Sequence, residues 1–157
     1  MRYPFFIPGI LLILLSITGC GNADKTSIDL SNLQQSAYDS SEQNKDVILS
    51  IKEKNIIKSS DKITLVFNNN SEKTYLYEDM TLLEKEIDGT WYSINHKPNV
   101  AWKKAAFILK PKEAREMDFL IESYYGLLDT GKYRVIKLIS EDSGQQDSFI
   151  TTELNID

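Results

Sequence analysis

The amino-acid sequence predicts an all-β fold, a two-layer sandwich of about seven to nine antiparallel strands. Beyond Lys45 the chain is a succession of short alternating or apolar runs, rich in β-branched and aromatic residues and separated by turn residues. No long amphipathic helical period interrupts them. Between two of these runs stands Asp88-Gly89, a dipeptide suited to the two positive φ angles of a type I′ hairpin turn.

In chain order the runs place strands at residues 46–53, 62–68, 74–78, 80–87, 90–94, 105–109, 114–121, 132–139 and 148–156. The first two alternate apolar with polar residues, as in Val47, Leu49, Ile51 and Ile63, Leu65, Phe67, the pattern of a strand with one face buried. The third carries Tyr75 and Tyr77, and the fourth and fifth form the hairpin around Asp88-Gly89. A two-residue turn there sets Leu83 opposite Ile94 and Lys85 opposite Tyr92, and it turns Trp91 to the other face beside Glu86. The remaining runs are apolar segments bounded by Pro111, Gly126, Gly131 and Gly144. Before the eighth strand, Leu128, Gly131 and Tyr133 have the spacing of a tyrosine corner, in which the Tyr hydroxyl returns to backbone a few residues upstream and pins a crossover between the sheets.

Ahead of these strands, Arg2 precedes an apolar run from Phe5 to Leu15 that ends in small residues just before Cys20, the single cysteine. The run is short for a bilayer span, and Pro4 and Pro8 shorten the usable helix further, so residues 1–19 read as a lipoprotein signal peptide, with Cys20 as the acylated first residue of the mature chain. That implies an extracytoplasmic protein held at the cell membrane by lipid. Residues 20–45, mostly Ser, Asn, Gln, Asp and Lys after the cysteine, read as a flexible tether with an r.m.s. span of about 25–30 Å. The domain itself is then expected at 46–157. With one cysteine assigned to lipid, packing rather than a disulfide must stabilise it. The mature chain has 17 basic against 23 acidic residues, a balance that disfavours nucleic acid and anionic lipid surfaces as partners.

Candidate chemistry is sparse. His96 is the single histidine, in an expected exposed loop, and without a second histidine or a free cysteine a zinc site has only carboxylates to complete it. No G-x-S-x-G elbow or glycine-rich phosphate loop is present, so no catalytic residue, metal or cofactor is assigned. Glu84 with Glu86, and Glu141 with Asp142, read as solvated sheet faces rather than acid–base pairs. Glu141, Asp142 and Asp147 near Gly144 follow no calcium-loop spacing. Asn69-Asn70-Ser71 reads as the tip of a β-turn. The aromatic residues Trp91, Tyr92 and Trp102 are the candidates for a binding patch, against the alternative that most of them pack between the sheets. Trp91 is the least core-like because the hairpin register turns it away from Leu83 and Ile94, and Trp102, in a loop beside Lys103-Lys104, comes second.

The residues Asn69-Asn70-Ser71, Lys73, Tyr75 and Tyr77, then Glu84-Lys85, Gly89 and Trp91-Tyr92, then Leu109-Lys110-Pro111 and Glu113, and last Tyr125-Gly126, Leu128, Gly131, Tyr133-Arg134 and Lys137 resemble a bacterial immunoglobulin-like domain of exported proteins and lipoproteins. The resemblance spans about 47–139 and implies an immunoglobulin-like β-sandwich in an exported setting, with no catalytic residue, cofactor or ligand to carry over. Lys112 stands where that family commonly has glycine after the proline, so the turn there is expected to differ in type. The function expected is a noncatalytic binding or scaffolding module facing an unknown protein or carbohydrate at the cell surface. An envelope enzyme or enzyme inhibitor acting on wall polymer, and a passive spacer, are the alternatives.

Overall fold

Alternating apolar residues sort the strands into two facing layers. The computed structural model describes residues 33–56, 60–144 and 147–157. Among them are ten strands: β1 (Gln34–Gln35), β2 (Val47–Ile51), β3 (Ile63–Asn69), β4 (Tyr75–Tyr77), β5 (Leu82–Ile87), β6 (Thr90–Ser93), β7 (Phe107–Leu109), β8 (Ala114–Phe119), β9 (Gly131–Glu141) and β10 (Asp147–Ile156). The nine expected strands are β2 to β10, with ends moved by a few residues. The run expected to continue to residue 121 stops at Phe119, and a short helix α1 (Ile121–Tyr125) follows it.

The smaller sheet has the order β2-β3-β8 and the larger β1-β6-β5-β9-β4-β7, with β10 on the remaining edge of β9; every strand pairing is antiparallel. Leu65, Phe67 and Phe119 from the first meet Leu83, Leu109, Tyr133, Val135 and Ile139 from the second in one apolar core. The Phe67 and Tyr77 rings stack across it at 4.4 Å. The hairpin has the expected register, Lys85 opposite Tyr92 and Glu86 opposite Trp91, with Asp88 at φ 49° and Gly89 at φ 78°. Tyr133 donates its hydroxyl proton to the Asp129 carbonyl at 2.9 Å, the contact a tyrosine corner makes.

One edge of β9 is shared by two strands in succession. Tyr77 pairs with Ile139 and Leu82 with Ile136, so the four residues 78–81 stand against only two, Lys137 and Leu138. The ladder cannot continue through this bulge, and its carbonyls need other donors. Lys137 supplies them from a fully buried position, donating through Nζ to the carbonyls of Glu78, Asp79 (3.2 Å) and Met80 (2.8 Å) and to the Thr81 hydroxyl (3.2 Å). Burial pushes this lysine down to about 7, against the opposing pull of the Asp79 and Glu78 carboxylates. At the bulge the sheet forks, β4 continuing to β7 and β5 to β6.

The largest departure from expectation lies ahead of β2. Residues 33–45, assigned to the tether, lie against the larger sheet instead. β1 pairs with Tyr92 and Ser93 at the β6 edge, the Ser36 amide donates to the Trp91 carbonyl at 2.9 Å, and the Asn44 amide donates to the Phe149 carbonyl at 2.8 Å on β10. Between these ends the segment crosses the outer face as a strap that includes a 3-10 turn, Ser40–Glu42, capped by the Asp39 carboxylate. The Tyr38 ring meets Phe149 edge-on at 5.0 Å. The polar composition of this segment does not prevent packing, because what it covers is itself charged. The earlier part of the expected tether, Cys20 and the signal segment lie outside the described residues.

Candidate functional site

Strand alternation puts Trp91 of β6, Glu84 and Glu86 of β5, and Lys132 and Arg134 of β9 on the outer face of the larger sheet. Glu84 is 1% exposed and Arg134 2%, and Arg134 Nε donates to Glu84 Oε2 at 2.6 Å. A buried guanidinium needs acceptors for its other N–H groups. The strap provides them: Nη1 donates to Ser40 Oγ at 2.8 Å, and Nη2 donates to Ser36 Oγ at 2.9 Å and to the Tyr38 carbonyl at 2.8 Å.

Trp91 lies over this charged layer. The Arg134 guanidinium carbon is 4.6 Å from the ring centroid and Lys132 Nζ 5.3 Å, within the range of cation–π attraction. Lys132 is itself held by Glu86 at 2.9 Å and Glu153 at 3.0 Å, which raise its pKa. Between the strap and the tip of the hairpin, Trp91 and Arg134 help to line a concave surface of about 470 Å³, with Gln35, Ser36, Tyr38, Asp39 and Thr90 among its other walls. Backbone and side-chain hydrogen bonds from Ser41 hold the Asp39 carboxylate below its ordinary pKa.

The other expected patch residues are placed elsewhere. Tyr92 is on the opposite side of β6 from Trp91. Trp102 packs against the core with its ring 4.3 Å from Tyr124, and its indole N–H is buried without a hydrogen-bond partner. The three aromatic residues therefore do not form one surface, because a sandwich without a disulfide uses Trp102 to close its core rim. His96 is exposed, 6.2 Å from Trp102, and no cluster able to hold a metal occurs among the described residues. The reading of Glu84 beside Glu86 as a solvated pair is overturned for Glu84 by the guanidinium that pairs with it under the strap. The chain turns at Asn69-Asn70-Ser71 after β3, Asn69 Oδ1 accepting from the Ser71 amide at 3.0 Å; Asn69 itself is buried, and its side-chain amide donates to the carbonyls of Lys73 at 2.7 Å and Lys110 at 2.9 Å.

Residues 43–152 match the family described as bacterial Ig-like domain. The chain belongs to that family. No curated relative matches it. Membership agrees with the two antiparallel layers and suggests a noncatalytic surface domain. The strap that builds the Trp91 concavity lies ahead of the matched residues, apart from its last three positions, so the site combines an Ig-like sheet with a segment outside the match. Lys112, the one noted departure from the family pattern, adopts φ 57° and so keeps the left-handed backbone usually left to glycine. The lysine therefore carries the strain of a left-handed backbone.

Proposed function

We propose that this chain is a lipoprotein of the outer side of the cytoplasmic membrane, acylated at Cys20, whose Ig-like domain binds or scaffolds a cell-surface component without catalysis. The membrane assignment is supported by the apolar run that ends in small residues at Cys20. No described helix is long and apolar enough to cross a membrane. The binding assignment is supported by one observation, the half-buried Trp91 in a concave wall between strap and hairpin. Aromatic anchors in such positions contribute disproportionately to recognition. Feeding cells a radioactive fatty acid is expected to label the chain and not its Cys20→Ala variant. Capture from envelope extract with the full chain, and with Trp91→Ala as the control, tests the second half; equal recovery of every component by both proteins would remove Trp91 from the role.

A further inference from the structure

The ligand class of the Trp91 concavity follows from how its charges are distributed. Arg134 is matched by Glu84 beneath it, and Lys132 by Glu86 and Glu153 beside it. Neither cation is left over for an anionic ligand. The exposed charge on the wall is Asp39, a carboxylate held ionised by Ser41, which repels anions. The remaining polar groups are neutral: the Gln35 amide and the hydroxyls of Ser36, Ser40 and Thr90. Ser36 Oγ is taken up within the strap, accepting from Arg134 and the Tyr38 amide and donating to the Tyr38 carbonyl, whereas Ser40 Oγ accepts from Arg134 alone and so is fixed in place with a lone pair and a proton to offer.

A wall of neutral hydroxyl and amide groups, two aromatic residues, Trp91 and Tyr38, and one carboxylate is chemically matched to an uncharged polyhydroxylated ring. A pyranose presents C–H groups on one face, which pack on an indole, and hydroxyls at its rim, which hydrogen-bond to Ser, Thr, Gln and Asp. The volume of about 470 Å³ falls within the range of small-ligand clefts, roughly 300–1,000 Å³, and has room for one or two such rings. We infer that the concavity between the strap and the β5–β6 hairpin is a binding site for a neutral saccharide, with Trp91 as stacking platform and Asp39 as hydrogen-bond acceptor and charge filter. This inference rests on the proposed surface-binding role and names its ligand. The same chemistry is offered by a free oligosaccharide and by a glycan of the cell envelope.

The test is calorimetric titration of the full chain with tetra-N-acetylchitotetraose and with maltotetraose, with polygalacturonate as the anionic arm. A neutral tetrasaccharide should bind, polygalacturonate should not, and Trp91→Ala should weaken binding at least tenfold. Ala37→Leu, an exposed wall substitution that fills the concavity without touching the Arg134 contacts, should weaken it similarly at an unchanged thermal midpoint, which separates loss of the site from loss of the fold. Sedimentation with purified cell-wall glycan distinguishes the two sources. The inference is overturned if neither tetrasaccharide binds at millimolar concentration, if polygalacturonate binds better, or if Ala37→Leu binds as the parent does. A lipid-labelled chain that captures a protein in a Trp91-dependent way but ignores both sugars would sink this inference alone and leave the wider role standing.

Discussion

Replacing Arg134 with methionine isolates the buried charge pair that organises the outer face. Methionine keeps the length and apolar stem of the side chain, so the change is chiefly one of charge and hydrogen bonding. It leaves the Glu84 carboxylate 1% exposed with a single distant hydroxyl contact, Ser93 Oγ at 3.4 Å. Breaking a buried pair by removing one partner costs about 3–5 kcal/mol. The strap also loses its three hydrogen bonds to the guanidinium. Those acceptors regain water if the strap lifts, so their loss adds less than the sum of three bonds at about 1 kcal/mol each. For a domain of this size about 1 kcal/mol corresponds to roughly 4 °C in midpoint, so Arg134→Met should lower the thermal midpoint by about 12–20 °C.

Circular dichroism melts measure that loss, and amide exchange across residues 34–44 tests its mechanism, since those amides should lose protection before the core strands do. The double variant Glu84→Leu, Arg134→Met removes the stranded carboxylate and should recover a substantial part of the stability. A midpoint change of less than about 4 °C, unchanged strap protection, or a double variant no more stable than the single one would refute the reasoning.

Other outcomes follow from the bulge, the turn and the corner. Lys137→Met strands the carbonyls of residues 78–80 and should cost about 2–4 kcal/mol near neutral pH. The folded lysine titrates at about 7 against 10.5 unfolded, so across that window the unfolded chain holds the extra proton. Stability contributed by this site should therefore rise with pH from about 7 and be flat below it, and melts of parent and Lys137→Met at pH 6, 7.5 and 9 would show a gap that widens upward. Lys112→Gly relieves a left-handed lysine at φ 57° and should gain about 0.5–1 kcal/mol in urea unfolding, since the strain relieved exceeds the extra entropy of glycine. Tyr133→Phe removes the bond to Asp129 and should cost about 1 kcal/mol with the strand pairing intact, as read by melts and far-ultraviolet spectra.

How much of this was legible in the sequence depended on whether the decisive interaction was local. The Asp88-Gly89 turn predicts its register because two positive φ angles leave little choice, and the Tyr133 contact spans only four residues. Strand alternation located β2 to β10 for the same reason. The strap is not legible from composition alone: Ser36, Tyr38 and Ser40 look like linker residues until Arg134, 94 to 98 positions away, is set among them. From its neighbours Lys103 and Lys104, Trp102 reads as a surface residue, yet its indole closes the core rim. For Trp91 the period-2 argument sufficed, since a one-residue shift along a strand changes the face.

The signal that would have located both the strap and the bulge lies within β9. Its stretch Tyr133-Arg134-Val135-Ile136-Lys137-Leu138-Ile139 is apolar on both sides of the strand except at two cations. A strand buried on both faces cannot leave a cation in place without oxygens around it. Each cation therefore marks a place where another part of the chain departs from regular structure to supply them. Opposite Lys137 the edge strand gains two residues and turns its carbonyls inward; above Arg134 a polar segment folds back across the sheet. Tyr133, Val135 and Ile139 face the core on one side, while Arg134 faces the strap on the other. The Trp91 concavity exists because of the second departure, so a variant that frees the strap should abolish saccharide binding even with Trp91 intact. Arg134→Met tested in the same titration, at a temperature where its core remains folded, would refute this dependence if affinity were unchanged.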